Sequence, residues 1–560
     1  MNRHTFIWGI PRYQVKSKER WLEFAYFINL WIGAILLLTT NLGALPLGDW
    51  EVSTLTQVAK EIYQSSFQDW HWLFPTMGGE PYLHQPPLIH SLTALVYHFL
   101  GINEFSSRIV GASLTSLSVP LLYLVAKELF LPRYYALFSA LVYLTTLPLV
   151  KYGRLAVLDG SVLCFYTLFL LFILKTRRDL RWSYLAGISL TLTCLCQGWQ
   201  MALLLSAIAG LFIYWDTPRL IFSLQFWAGI ILGITPAISW YWGEFFYYGT
   251  LDSGLGITVN HYHPIWHYLT ELLAYSYPWI FFACLGWQKA WQNQNWSWAK
   301  LILVTTFAYV AIIFFFGINQ SWTLVPIYPS LSLAAGFALA EIKSMPSFES
   351  YPPLLIRFFT LLTVVLVGGL IYSFTTIPNN YNLLTVLGLL LITFATVTIL
   401  LSKKDPQFIY ILLWGMYVTL IVFFSSNYWF WELNEKYAVK PIANVIQEVV
   451  PYDEDIYIDA EDFRSSLNFY SDRQIIPIDQ KQLEKLWQTP SYLLIRKNIL
   501  SKLDFVPQNG IYCNPELKLN SELSSSQLSQ LNCVQEIAIE NSDFILFKPI
   551  KIDDLSKYNQ

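Results

Sequence analysis

Long apolar runs separated by short polar breaks fill most of the chain, and one long polar stretch, Gly48 to Ser91, follows directly on the first of them. The runs fall at about 23–42, 107–128, 133–152, 157–175, 183–198, 199–215, 220–243, 268–288, 299–317, 322–342, 354–377, 381–401 and 408–427. A helix needs about 20 apolar residues to cross a hydrocarbon core, so this pattern predicts about thirteen transmembrane helices. Inside the polar stretch, Leu55, Val58, Ala59 and Ile62 recur at the spacing of one helix face. They predict a helix lying along the membrane surface. His84-Gln85-Pro86-Pro87 then forces an extended turn, because proline offers no N–H and biases its predecessor away from helix. The apolar segment Leu88 to Leu100 is too short to cross and is expected at the interface.

Beyond Asn427 the pattern changes. Asp455–Asp459, Gln474–Ile478, Tyr492–Ile495 and Phe544–Phe547 are short strand-like runs between polar, helix-compatible pieces such as Gln480–Trp487. The predicted fold is a polytopic α-helical membrane protein with a small C-terminal soluble α/β domain. Its expected parts are a cytoplasmic N-terminus (1–22), a transmembrane domain (23–427) with a first outer loop (46–106), and an extracytoplasmic α/β domain (428–560).

Composition agrees. The 560 residues are 55% hydrophobic and only 13% charged, too little charge to cover a soluble globule of that size. A net charge of −3 argues against nucleic acid as a partner, which needs a basic footprint. Arg3, Arg12, Lys16, Lys18 and Arg20 precede the first run and mark its start as cytoplasmic. Later basic residues fall in alternate loops: Lys127 with Arg133, Lys175 to Arg181, Arg219, Lys289 with Lys300, Lys343 with Arg357, and Lys403 with Lys404. Lys151 and Arg154 are the exception, on the expected outer side beside Asp159. An odd number of spans puts the C-terminal domain outside, where Cys513 and Cys533 make a plausible disulfide.

This topology sends several polar positions to one face: Glu51 and His84 in the first outer loop, Asp159 after the third run, and Gln197 at the fifth-to-sixth turn. His261, His263 and His267 before the eighth run and Asn319 after the ninth join them. A carboxylate held at a membrane surface is a candidate general base or metal ligand. Each residue alone has a plainer reading, as a solvated acid, a helix cap or an interfacial ring. Their convergence on one side is what raises them.

The order of segments resembles the GT-C fold membrane glycosyltransferases, in particular the protein O-mannosyltransferase and lipid A aminoarabinose transferase family. The matching stretches are Asp49-Trp50-Glu51-Val52, Gly79-Glu80-Pro81-Tyr82-Leu83-His84-Gln85-Pro86-Pro87, Gly153-Arg154-Leu155 to Leu158-Asp159-Gly160, and Leu324-Val325-Pro326-Ile327-Tyr328-Pro329. Asn468-Phe469-Tyr470 resembles the family's C-terminal region. The resemblance implies a sugar donor on a polyprenyl phosphate and a lipid or protein acceptor at the outer face of the plasma or inner membrane. Glu51 would deprotonate the acceptor and Asp159 would assist. Tyr82, His84, Gln85, Arg154, Gln197, His261, Asn319 and Tyr328 would bind substrate. A divalent metal is compatible with the carboxylates, His84 with Glu51 being the candidate ligands. The family's second acid is Val52 here, and its lysines are Gln85, Gln197 and Asn319. An amide still donates hydrogen bonds to phosphate, but without the charge assistance that roughly doubles them. Two further readings stay open: an inactive GT-C relative that binds a lipid or partner protein, and a secondary transporter. The second is disfavoured because ionisable groups are scarce in mid-helix, Glu271 near an end being an exception.

Overall fold

Apolar runs become helices, and prolines, glycines and polar breaks set where they stop. The computed structural model describes residues 17–48, 51–249, 265–316, 324–345, 351–376, 380–426, 437–479, 482, 491–497, 511–513, 533–539 and 542–549. In order, α1 is Ser17–Thr39, α2 Glu51–Gln64, α3 Leu88–Leu100, α4 Glu104–Leu129, α5 Arg133–Leu144, α6 Leu147–Arg154 and α7 Asp159–Thr176. Then come α8 Trp182–Gln197, α9 Trp199–Asp216, α10 Leu224–Tyr248, α11 Ile265–Tyr275, α12 Trp279–Gln292, α13 Ser297–Leu303, α14 Tyr309–Phe316 and α15 Ile327–Ser344. The helices close with α16 Pro353–Thr376, α17 Tyr381–Ser402, α18 Phe408–Ser425, α19 Val439–Val449 and α20 Ser465–Ser471. A hairpin pairs β1 Thr76–Met77 with β2 Glu80–Pro81. The remaining strands are β3 Ile456–Asp459, β4 Ile475–Ile478, β5 Tyr492–Arg496, β6 Ile511–Cys513, β7 Cys533–Ala538 and β8 Phe544–Pro549.

By packing, the chain forms two units. The helical unit is Met1–Thr40, Gly111–Arg154 and Leu158–Ser426; the sheet unit is Asn41–Val110, Leu155–Val157 and Asn427–Gln560. The loop 46–106, expected with the transmembrane helices, thus groups with the C-terminal sheet.

In the helical unit, eight helices among the described residues are long and apolar enough to cross a membrane, or nine if α5 and α6, bent by 55°, make one span. The chain is a polytopic membrane protein. The remaining four of the thirteen expected runs are helical but fall short. α8 has only 16 residues and the run at 268–288 divides between α11 and α12, so these lack the length, whereas α10 with 25 residues and α15 with 18 are long enough but not apolar enough. An apolar run in the sequence does not show that the stretch 268–288 breaks between Tyr275 and Trp279.

The sheet unit is built on a six-stranded sheet in the order β4-β3-β5-β8-β7-β6. β3 runs parallel to β4 and β5, and the remaining pairs are antiparallel. Ile456, Ile458, Leu494, Phe544 and Leu546 bury against Ile442 and Ile446 of α19 and Leu467 of α20. All four expected strand-like runs lie in this sheet, while all but one residue of 480–487 lie outside the described residues. The register of β6 and β7 sets Cys513 opposite Cys533.

The two loop helices follow their patterns. Leu55, Val58, Ala59 and Ile62 of α2 are all buried. α3 starts after Pro87 and ends at Gly101, whose φ of +71° favours glycine. α20 clamps this loop. Lys60 Nζ lies 2.8 Å from Asp472 Oδ1 and donates to the Phe469 carbonyl at 2.8 Å. Tyr470 Oη accepts from the Leu47 N–H at 2.8 Å and donates to Glu104 at 3.1 Å, and Lys440 pairs with the same Glu104 at 2.5 Å. Burial pushes the Asp472 carboxyl up, but the hydrogen bond and charge of Lys60 hold it below the usual carboxylate range.

Candidate functional site

Asp159 opens α7, and a carboxylate in the first turn of a helix is favoured by the N-terminal dipole. α8 ends at Gln197, because Gly198 at φ +103° turns the chain into α9. Gln197 Nε2 donates to Asp159 Oδ1 at 3.0 Å, joining two of the expected site residues. Asp159 is only 4% exposed. It lies within electrostatic reach of Tyr152, Tyr309 and Cys196. Tyr152 in turn lies within reach of Glu271, Tyr275 and Tyr328. The Lys151 ammonium sits over the Tyr275 ring at 4.8 Å and the Tyr152 ring at 5.7 Å.

Gly153 and Gly160 let this cluster form. A Cβ at Gly153 would come within 2.6 Å of the Thr115 methyl of α4, and one at Gly160 would collide with the Thr115 hydroxyl. The close approach fixes α6 and the start of α7 against α4.

Among the described residues, Gln197 Oε1 and Ser161 Oγ beside Asp159, and Gln200 Nε2 in the first turn of α9, are buried without a hydrogen-bond partner. Leaving such groups unmet costs about 1–3 kcal/mol each. A ligand hydroxyl would donate to Gln197 Oε1, and a hydroxyl or phosphate oxygen would accept from Gln200 Nε2 or Ser161 Oγ.

Arg154 has a different place from the one expected. It is fully buried, its Nη1 donates to the Leu37 and Leu38 carbonyls at 3.0 and 3.1 Å, and its guanidinium stacks on Phe424 at 4.9 Å. Those carbonyls belong to the last turn of α1, where a helix has no partner of its own for them. Arg154 therefore ties the end of α1 to α6.

In the sheet unit, Tyr82 is buried and donates from Oη to Gln85 Oε1 at 3.3 Å, whereas His84 is exposed and sits edge-on to Tyr82 at 5.7 Å. His90, which the sequence reading passed over, packs on the other side of Tyr82 at 5.7 Å. Its Nδ1 lies 3.1 Å from the Pro86 carbonyl. Burial lowers its pKa from 6.5 to about 4, against the weaker opposing effect of that hydrogen bond, so the ring is neutral and Nδ1 is the donor. The Pro-Pro turn is thus pinned from inside the protein.

Glu51 is the first residue of α2, and its side chain lies outside the described residues, as do His261, His263, Asn319 and the His267 side chain. Among the described residues no three His, Cys, Asp or Glu side chains come together as a metal site. Sequence reasoning also missed Tyr152 and Tyr275. The signals available were Glu271, an acid inside an apolar run, and Lys151, a base on the wrong side of the charge alternation.

Residues 84–242 match the family model described as dolichyl-phosphate-mannose-protein mannosyltransferase. The crystal structure of ArnT from Cupriavidus metallidurans bound to undecaprenyl phosphate superposes with a TM-score of 0.68 at 15% identity, covering 95% of this chain and 98% of that one. The chain has the GT-C fold. The resemblance read from the order of its motifs is borne out. Among relatives sharing this fold, undecaprenyl phosphate-alpha-4-amino-4-deoxy-L-arabinose arabinosyl transferase 1 of Pseudomonas fluorescens is 26% identical over 42% of the chain and 46% of that protein. The similarly named transferase of Pectobacterium carotovorum is 26% identical over 57% of the chain and 60% of that protein. The chain spans about half to three fifths of the length of these relatives.

Proposed function

We propose that this protein is an inverting glycosyltransferase that moves a sugar from a polyprenyl-phosphate donor to a hydroxyl of a lipid or protein acceptor. The observation that carries the reading is the Asp159 cluster, with its orphaned Gln197 Oε1, Gln200 Nε2 and Ser161 Oγ, inside a GT-C fold. The relatives' names supply the donor class.

In the proposed reaction the acceptor oxygen attacks the anomeric carbon. The bond from that carbon to the phosphate oxygen breaks, its electron pair stays on the phosphate, and the configuration inverts. Glu51 takes the acceptor proton, and Asp159, oriented by Gln197, holds the acceptor or the sugar. Tyr82, His84, Gln85 and Tyr328 complete the binding surface with His261 and Asn319, while Arg154 acts by holding α6 in place. A divalent metal at the carboxylates belongs to the same proposal, and chelation of metal in a transfer assay tests it. The helices cross thirteen times in this reading, and the sheet unit stands outside. Alkaline phosphatase fused after Lys551 is then expected to be active, and a cytoplasmic reporter active there would reverse the topology.

Mass spectrometry of envelope lipids and glycoproteins from cells with and without the gene identifies the product. Asp159→Asn and Glu51→Gln are each expected to lower transfer by roughly 100-fold or more, the contribution of a positioned acid or base, while the protein inserts normally. Transfer at the wild-type rate in both variants would place the chemistry elsewhere.

A further inference from the structure

We propose that Cys513 and Cys533 are joined by a disulfide that staples the edge strand of the sheet unit, an inference that rests on the outer placement of that unit proposed above. Of the six cysteines, Cys164, Cys194, Cys196 and Cys284 lie on α7, α8 and α12 of the helical unit and are free thiols. Cys513 and Cys533 are the two that fall in the sheet unit, so neither has a competitor for its partner. The sequence offers this pair without a geometry. The register of the strands supplies one.

β6 runs antiparallel to β7, and the pairing of Ile511 with Gln535, Tyr512 with Val534 and Cys513 with Cys533 sets the two cysteines directly opposite each other. Residues so opposed have Cα atoms about 5.5 Å apart when they exchange ladder hydrogen bonds and about 4.5 Å apart when they do not. Both spacings lie inside the range of about 4.4–6.8 Å that a disulfide spans. Opposed residues also stand on one face of the ladder, so the bond asks for no change of register. The same pairing gives the bond a role. β6 has three residues, lies at the end of the strand order and among the described residues pairs with β7 alone. A ladder that short holds an edge strand weakly, and the chain that links it to β7, residues 514–532, loses freedom each time the pair closes. A bond between Cys513 and Cys533 removes most of that cost, because the loop is then closed in the open state too. β7 in turn pairs with β8, whose Phe544 and Leu546 sit in the core, so the bond ties the edge to a strand that is held. Its formation is a two-electron oxidation. Each thiol loses a proton and the pair gives up two electrons as the S–S bond forms, while the disulfide of a thiol oxidase takes them up and becomes a dithiol. Such oxidants act outside the reducing cytosol.

The plainer reading, two reduced cysteines packed as small apolar side chains, predicts free thiols. The test takes cells expressing the full-length chain, quenches and denatures them in acid, blocks thiols with N-ethylmaleimide and analyses the digest by mass spectrometry before and after reduction. The peptides of Cys513 and Cys533 are expected as one species, lighter by two hydrogens than the two thiol peptides together, with the label on the four cysteines of the helical unit. Free thiols at both positions overturn the bond, and the alkaline phosphatase fusion after Lys551 then tells two failures apart. An active fusion leaves the sheet unit outside and refutes the cross-link alone. A silent one, with an active cytoplasmic reporter, removes the outer placement and this inference with it. For the stapling role, hydrogen exchange resolved by segment compares the purified protein with and without reductant. Reduction should speed exchange in β6 and β7 by roughly 10-fold or more and leave α2 and α19 unchanged. Cys513→Ser and Cys533→Ser should each exchange like the reduced protein, and reduction of the wild type gives the readout if either variant fails to insert. Equal exchange in the oxidised and reduced protein would overturn the stapling role.

Discussion

Lys60 of the sheet unit and Lys151 of the helical unit are both lysines on helices, yet their surroundings differ. The Lys60 side chain is 7% exposed, and a carboxylate and a backbone carbonyl each meet its nitrogen at 2.8 Å. The Lys151 nitrogen lies over the Tyr152 and Tyr275 rings, at 5.7 and 4.8 Å. Two of the buried arginines run parallel to this. Arg108 donates to the Leu42, Leu45 and Pro46 carbonyls in the sheet unit, as Arg154 does to Leu37 and Leu38 in the helical unit. A base whose donors are spent on backbone carbonyls holds the fold. One held over aromatic faces is positioned by rings rather than by backbone oxygens. Charge alone does not separate these roles, and the partner atoms do.

If the sheet unit is the structural partner in this comparison, its stability should respond to pH where the Asp159 cluster answers to substrate. The largest effect is expected at His90, which is 0% exposed. Its folded pKa of about 4 lies below its ordinary 6.5, so the folded state prefers the neutral ring. The stability it contributes is fully present above pH 6.5 and is lost as pH falls toward 4. The full loss is roughly 3 kcal/mol across that window, from about 1.4 kcal/mol per pKa unit. Melting in detergent at pH 7.5 and 5.0 should show a larger drop for wild type than for His90→Gln, which keeps a donor for the Pro86 carbonyl and cannot titrate. Equal drops would mean that the ring is not the titrating group.

A smaller effect is expected from the clamp. Lys60→Met keeps the apolar stem and removes the donor, leaving the Phe469 carbonyl unmet and Asp472 with Gln64 and the Arg473 charge only, at about 1–3 kcal/mol. Asp472 is 41% exposed, so water recovers part of the loss. Because Lys60 holds the Asp472 pKa below its ordinary value, the pair stabilises above that value and fades as pH falls below it. The Met variant should lose the share of this acid sensitivity that Lys60 supplies and keep the smaller share from Gln64 and Arg473. Hydrogen exchange resolved by segment is the sharper measurement: α2 and α20 should open together in the variant, with α7 and α8 unchanged. Opening spread over both units would deny the clamp a local role.

How much of this was legible beforehand varies with sequence distance. The buried face of α2 repeats within four residues and α3 is bounded by Pro87 and Gly101, so both could be read directly. The strands of the sheet announced themselves as short runs of Ile, Leu, Phe and Tyr. The Asp159–Gln197 bond could be expected only as a shared side of the membrane, since hydropathy carries no distances. The contact of Lys60 with Phe469 joins residues 409 apart and left no local mark. The contacts of Arg154 were illegible for the same reason, since the Leu37 and Leu38 carbonyls that its Nη1 meets lie more than a hundred residues away.

The smallest effect isolates a single hydrogen bond of the clamp. Tyr470 Oη accepts from the Leu47 N–H and donates to Glu104, joining the chain just before α2 to the first residue of α4. Tyr470→Phe keeps the ring, which packs edge-on to Phe469 at 5.3 Å and receives the Lys440 ammonium at 5.3 Å. Only the oxygen is lost. Leu47 is buried, so its N–H loses a partner that water does not readily replace, at about 1 kcal/mol. Glu104 keeps Lys440 at 2.5 Å and should tolerate the change. The variant should therefore melt only slightly earlier. The Leu47 amide should exchange roughly 5-fold faster, which is what 1 kcal/mol of lost protection gives. Faster exchange at Leu47 with unchanged protection in α3 would show that the oxygen acts on one amide. Unchanged exchange at Leu47 would mean that the amide is held by the surrounding packing and that the Tyr470 hydroxyl adds nothing to the clamp.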